Sequence, residues 1–418
     1  MTYRRSAFTW TAFGTLFAFG YLNAVLGPAL PYLRSAEGIS YLAGALHQVA
    51  FAVGGGIAGT ASAQGRLPFT RRTGIAAGLA AAGLAALAVG YGNVAPITIV
   101  GALLMGLFAT LALIRVWAAL ADAHGPRRVV AMSEGEVAVS LAGIATPLLI
   151  AALAATGATW RLAFAIGAAT AGLAARGVMR VDVPAQHAAA PEHARNSRFQ
   201  PTLVIIFAIV ALEFALSFWL ASYLNDDVGL ARPTAVALVS VLYAANLAGR
   251  LLASRFARTN TPERLLVVAL GLVLAGLPCL LAATSASLAV PGILLAGAGI
   301  AALFPLASAL HVQASGRTAD SALGQTLTVA AGGQIGGPLA VGAIAQASSV
   351  RSGLLVLPAL TLLAAAGLAA HQRRNPAATS PSERLDRQAF ETSAEAACRL
   401  GIVDRLESDQ QELRARQR

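Results

Sequence analysis

Twelve stretches of the chain are each long and apolar enough to cross the roughly 30 Å hydrocarbon core of a bilayer, which takes about 20 helical residues. They run over 8–33, 41–63, 73–91, 95–121, 130–155, 160–179, 202–224, 234–256, 264–284, 288–312, 322–346 and 352–371. Inside lipid every peptide group must find a partner within the chain, so only helices or a closed barrel can span. The period-two alternation of barrel strands is missing, and the stretches read as helices. The expected fold is an all-α membrane protein with twelve transmembrane helices. Composition agrees: 57% of residues are hydrophobic and 12% charged, about half the charge of a soluble protein. Of the 49 charges, 17 fall in residues 373–418, which form a polar tail. That tail, with Leu400, Ile402, Val403, Leu406 and Leu413, reads either as a short amphipathic helix or as a solvated extension.

All 30 basic residues are arginine. Without lysine there is neither a Walker A loop nor a Schiff-base nucleophile, which excludes nucleotide hydrolysis of that type and imine chemistry. Cys279 and Cys398 lie in unlike surroundings, and no His, Cys or acidic spacing suggests a metal site. No cofactor and no catalytic residue is expected. Arginine also sets orientation, because basic loops stay in the cytoplasm. The N-terminus and even-numbered connections hold 15 arginines before the tail, and the opposite side holds Arg34, Arg161, Arg232 and Arg351. Both termini are therefore expected in the cytoplasm of a multi-pass inner-membrane protein. The net charge of +11 is mostly this bias and implies no nucleic-acid partner. The stretch after Arg4 and Arg5 is too long for a signal peptide and carries Pro28 and Pro31, so it reads as the first span.

The twelve segments divide six and six about a polar connection, giving an N-terminal bundle at 1–180, a central loop at 181–201 and a C-terminal bundle at 202–372. Landmarks recur across it. Tyr32–Leu33 and Tyr223–Leu224, Gly38 and Gly229, Gly106 and Gly297, Gly125 and Gly316, and Pro147 and Pro338 are each 191 residues apart, while Gly59 and Gly249, and Arg161 and Arg351, are 190 apart. An ordered series at near-constant spacing reads as a duplication. Six spans per half keep the repeats parallel, the arrangement of two bundles rocking about a midplane site. The glycines Gly54, Gly55, Gly56 and Gly59 are expected to let helix backbones approach closely.

Over about 365 residues this pattern resembles the major facilitator superfamily of secondary transporters. The stretch from Gly249 and Arg250 to Arg255, with Arg258 and Arg264 behind it, is similar to the family's basic loop motif after helix 8. Its counterpart from Gly59 to Arg72 has Ala63 and Gln64 where the family usually has an aspartate. Gly143 to Pro147 in helix 5, and Gly333, Gly337 and Pro338 in helix 11, are similar to the Gly-Pro motif common among antiporters. The resemblance implies two pseudo-symmetric six-helix bundles, with helices 1, 4, 7 and 10 lining a central cavity.

Ionisable groups at membrane depth are functional candidates because each must be hydrated, paired or protonated. Glu213 lies near the middle of segment 7, with Ser217 one turn on along the same face. It is the candidate for proton coupling or substrate binding, against a static interhelical bond. Asn23 occupies the equivalent place in segment 1, 190 residues earlier, either facing the cavity or bonding a neighbouring helix. His47, Asn246 and Gln334, together with Gln48 and Tyr243, are further hydrogen-bonding candidates. Arg115 near the cytoplasmic end of helix 4, and Glu134 and Glu136 near the start of helix 5, are expected to pair, either as a permanent bridge or as a moving gate. Trp219 and Tyr223 read as interface anchors, or as rings that stack on a ligand. The functional expectation is a monomeric secondary transporter that moves a small solute by alternating access, proton-coupled in its sharper form. Drug or metabolite efflux by proton antiport, and a non-transporting receptor, are the alternatives.

Overall fold

Every described segment that the apolar pattern marks as a span is helical in the computed structural model, which describes residues 4–63, 70–184, 200–257, 259–315 and 319–374. Among the described residues, twelve helices long and apolar enough to cross a membrane follow one another, here numbered as spans 1 to 12: Ala7–Glu37, Tyr41–Ser62, Arg71–Tyr91, Ala95–His124, Val130–Ala155, Leu162–Met179, Pro201–Asp226, Arg232–Phe256, Pro262–Leu281, Ala286–Ala314, Gly324–Ala347 and Val350–Arg374. Residues Met1–Gly367 belong to one compact unit and Leu368–Arg418 to a second, of which only the end of span 12 is described. The tail beyond 374, most of the central loop, Arg258 and Gly316 lie outside the described residues.

Local chemistry sets the helix ends. Ser6 opens span 1 with a reciprocal capping box, its hydroxyl accepting from the Thr9 N–H. Span 1 is two helices, Ala7–Ala24 and Leu26–Glu37. Pro28 explains the break, because it has no N–H for the Ala24 carbonyl and its ring crowds that oxygen. Gly38 ends span 1 in the left-handed region at φ 66°, and Gly229 ends the span 7 turn at φ 79°. Those two glycines are 191 residues apart, so the duplication seen in the sequence is also a duplication of backbone conformation.

The same repeat governs packing. In the first half span 1 packs on span 5, span 2 on span 4 and span 3 on span 4. In the second half span 7 packs on span 11, span 8 on span 10 and span 9 on span 10. Across the halves, span 5 packs on span 8 and span 11 on span 2, a pair of contacts that the repeat exchanges. Gly106 sits against the backbone of Phe51, and Gly297 sits against Leu242, which is 191 residues from Phe51. Arg161 donates to the carbonyls of Gly90 and Gly92, at 2.5 and 3.3 Å, closing the end of span 3. Arg351 does the same for Leu281 and Ala283 after span 9, at 3.0 and 2.8 Å. Carbonyls at a helix end lack intrahelical donors, so each guanidinium satisfies groups that would otherwise be orphaned.

The glycine cluster of span 2 acts more narrowly than its composition suggests. Gly54 alone meets a neighbouring backbone, at Leu103 and Leu107, while Gly55 faces the Thr110 side chain and Gly56 and Gly59 face open space. With 3.6 residues per turn, consecutive glycines point in different directions, and of these four only Gly54 meets the backbone of span 4.

Candidate functional site

A small cavity lies where the two halves meet, lined by Asn23 of span 1, Glu213, Phe214 and Ser217 of span 7, Leu242, Tyr243 and Asn246 of span 8, and Ile300 of span 10. Its volume is about 40 Å³, room for about three waters rather than a sugar-sized solute. Glu213 and Ser217 share it because they are one turn apart on the same face. Asn23 reaches it from the last turn before the Pro28 break in span 1. The Asn246 side-chain oxygen is buried and has no hydrogen-bond partner, a group left open to a solute or water. Tyr243 is held from behind: its ring lies on Gly143 of span 5, where an added Cβ would come within 2.7 Å of the ring. One turn earlier Ser240 donates to the Ile144 carbonyl at 2.9 Å. The Gly143–Pro147 motif thus supplies the seat of a cavity side chain contributed by the other half.

The lining differs from the expectation of helices 1, 4, 7 and 10, since spans 1, 7, 8 and 10 make this cavity. His47 and Gln334 lie outside it. His47 is fully buried between spans 2 and 4, with Nε2 2.9 Å from Thr98 Oγ1 and Nδ1 3.2 Å from the Gly44 carbonyl. Gln334 is half-buried in span 11, whose Gly333 and Gly337 lie against the backbone of span 7 around Phe207 and Ala211. The Pro338 carbonyl accepts from Trp219 Nε1 at 2.9 Å, and Tyr223 donates to the Leu280 carbonyl at 2.6 Å. Both rings are buried helix-packing groups rather than interface anchors. Phe214, Leu242 and Ile300 are cavity residues that the sequence did not single out, because nothing distinguishes them from other apolar side chains of their helices.

The arginine pairing also differs. Arg115 donates to the Thr70 carbonyl at 2.9 Å and lies over Gly74, facing span 3. Glu134 pairs with Arg5 at 2.6 and 2.9 Å, and Glu136 with Arg250 at 2.8 Å. Which arginine meets Glu136 depends on how the helices are rotated, which no sequence spacing records. Arg250 belongs to the basic loop motif that also includes Gly249, packed on the backbone of Ala298, and the exposed Arg255. Its pair with Glu136 crosses the two halves on the N-terminal side. The partly exposed Arg250–Glu136 pair should show a coupling of roughly 0.2–1 kcal/mol in a double-mutant cycle on thermal unfolding. The Arg115–Glu136 cycle should be additive, and coupling there instead would overturn the pairing described.

On the far side, opposite the N-terminus, the halves are joined more extensively. Asp226 of span 7 accepts from Arg34 at 3.1 Å and from the Tyr41 hydroxyl at 2.9 Å. The Arg34 guanidinium stacks 3.5 Å above the Tyr41 ring, and the Tyr41 N–H donates to Gln346 of span 11 at 3.1 Å. Four spans, two from each half, are thereby fastened at one end.

Twelve apolar helices in two equivalent halves, with a polar cavity at their meeting surface and a fastened far side, define a membrane-embedded secondary transporter that moves solutes by alternating access. The sequence model of the Major Facilitator Superfamily matches residues 12–335, and the chain belongs to that superfamily. It is a transporter and not an enzyme. No sequence among the curated proteins matches it. Among solved structures it is similar to the nucleoside transporter NupG, with 10% identity, 88% of this chain and 99% of that one covered, and a TM-score of 0.71. It is also similar to a D-xylose-proton symporter, with 16% identity, 87% and 96% covered, and a TM-score of 0.68. The human organic anion transporter MFSD10 is matched with 13% identity, 88% and 100% covered, and a TM-score of 0.65.

Proposed function

We propose that this transporter carries one small polar solute, uncharged or cationic, and couples its movement to protons at Glu213. The observation that carries the reading is the convergence of Glu213, Asn23, Ser217 and Asn246, from both halves, on one cavity. Glu213 is the one ionisable carboxyl lining that cavity, so the field there favours a neutral or positive cargo. Arg115, which would have favoured an organic anion, faces span 3 instead. The solved relatives are named for nucleosides, xylose and organic anions. At 10–16% identity they share the fold, and the cargo has to be read from the cavity.

In this reading 1–180 and 202–372 are the two bodies that rock, joined by the loop 181–201. The protein is a monomer in the cytoplasmic membrane with both termini, including the tail 373–418, in the cytoplasm. Proton binding at Glu213 removes the carboxylate charge that lines the cavity, and so shifts the balance between the two states. The test uses proteoliposomes and a cargo first identified by ligand-dependent thermal stabilisation across a metabolite panel. An imposed pH gradient should drive net transport by the wild type, and Glu213→Gln should abolish gradient-driven accumulation while retaining exchange. Full gradient-driven accumulation by the variant would overturn the assignment.

A further inference from the structure

On the far side of the first half, three polar residues from three spans form a hydrogen-bonded chain outside the Glu213 cavity. His47 Nε2 lies 2.9 Å from Thr98 Oγ1, and Thr98 Oγ1 lies 3.2 Å from Glu37 Oε2. His47 and Thr98 are fully buried. Glu37 is half-buried as the last residue of span 1, with its Oε1 buried and without a partner. We propose that Glu37, Thr98 and His47 form a second proton-binding site, one that opens on the far side.

The Gly44 carbonyl can only accept, so His47 Nδ1, 3.2 Å away, carries a hydrogen. The two remaining links, Nε2 to Thr98 and Thr98 to Glu37, each need one hydrogen, and the hydroxyl supplies at most one, since it also reaches the Ala95 and Val94 carbonyls of its own helix at 3.1 and 3.5 Å. For both links to be hydrogen bonds, at least one titratable proton must be present. When it is on Glu37, the carboxyl donates to Thr98 Oγ1 and the hydroxyl donates to a neutral His47 Nε2. When it is on His47, Nε2 donates to Thr98 Oγ1 and the hydroxyl donates to the Glu37 carboxylate. Two proton transfers interconvert them, from the Glu37 carboxyl to Thr98 Oγ1 and from Thr98 Oγ1 to His47 Nε2: an O–H bond breaks at Glu37, one O–H bond is exchanged for another at Thr98, and an N–H bond forms at His47. With no such proton, two acceptors compete for one hydroxyl and a buried bond is lost. The orphaned Glu37 Oε1 adds to the penalty on the fully ionised state.

The surroundings supply no alternative donor among the described residues. Arg161, the charged group acting on Glu37 from the connection before span 6, is committed to the Gly90 and Gly92 carbonyls. Arg34, one turn before Glu37, is held by Asp226, and the Tyr41 hydroxyl donates to the same carboxylate. Span 11 brings no ionisable side chain to this end of the bundle. The site also has leverage, because the same opening turns of span 2 carry Tyr41 and Ala45, which meet spans 7 and 11 at Asp226, Gln346 and Gly342.

The test is nitrogen NMR of the purified, full-length protein labelled with 15N-histidine, with His47 assigned by the signal lost in His47→Gln. In the wild type His47 should keep its Nδ1 hydrogen at every pH, while its Nε2 signal moves as pH rises and the site empties. In Glu37→Gln the side-chain amide donates to Thr98 without titrating, so the His47 signals should become independent of pH. Glu213→Gln should leave the His47 titration unchanged, which keeps this site and the cavity reading separately testable. A wild-type His47 that carries its hydrogen on Nε2 alone overturns the proposal without recourse to any variant. So does a pH response that survives Glu37→Gln.

Discussion

Gly106→Leu is expected to leave no stably folded protein, and Gly106→Ala to lose at least about 3 kcal/mol of stability. A Cβ at position 106 would be driven into the backbone carbonyl of Phe51, and backbone inside a helix cannot rotate aside as a side chain can. The repeat provides an internal comparison. At Gly297 the added atom would meet the Ala245 Cβ at 2.9 Å and the Leu242 carbonyl at 3.0 Å, a looser fit, so Gly297→Ala should cost less. At Gly59 nothing lies within 4 Å, and Gly59→Ala should be neutral or stabilising by up to about 1 kcal/mol through helix propensity. Thermal unfolding of the purified variants in one detergent orders the three. If Gly106→Ala were as mild as Gly59→Ala, close approach of spans 2 and 4 would not be what holds the first half together.

Asp226→Asn should shift the protein toward a far-side-open state. The aspartate accepts from both Arg34 and Tyr41, which belong to the opposite half, and Arg34 is only 17% exposed at its side chain. Replacing the carboxylate removes one ion pair and weakens a second charge-assisted bond, worth roughly 2 kcal/mol together, or about a thirtyfold change in the ratio of the two states. Transport should fall because one side of the cycle is no longer held shut. The change reads out as a longer distance between labels at Ala36→Cys and Ser348→Cys, two exposed positions at the far side, with Cys279 and Cys398 replaced by alanine. An unchanged distance distribution would remove Asp226 from any role in closure.

The fold was legible in the sequence because its governing terms act within single segments or within one repeat. Apolar length sets each span, and the 190–191 residue offsets became physical equivalences: the left-handed turns at Gly38 and Gly229, the carbonyl caps of Arg161 and Arg351, and the helix contacts at Gly106 and Gly297. Asn23, Glu213, Ser217 and Asn246 could be singled out because polar groups at membrane depth are costly without a role. Partner choice was not legible. Whether Arg115 or Arg250 meets Glu136 depends on helix rotation, and Arg34 and Asp226 are brought together only when the halves dock. Tyr243 on Gly143 shows the same limit, since the motif marks a small residue while the ring it receives comes from another helix of the other half.

The central claim is that one cavity is exposed to one side at a time, and paired-label distances measure it most directly. One pair spans the far side at Ala36→Cys and Ser348→Cys, and a second spans the N-terminal side at Thr60→Cys and Gly324→Cys. Across conditions that change the state of the protein, such as cargo, pH and Asp226→Asn, the two distances should move in opposite directions, one lengthening as the other shortens. Distances that lengthen together, or that stay fixed while transport proceeds, would contradict the account.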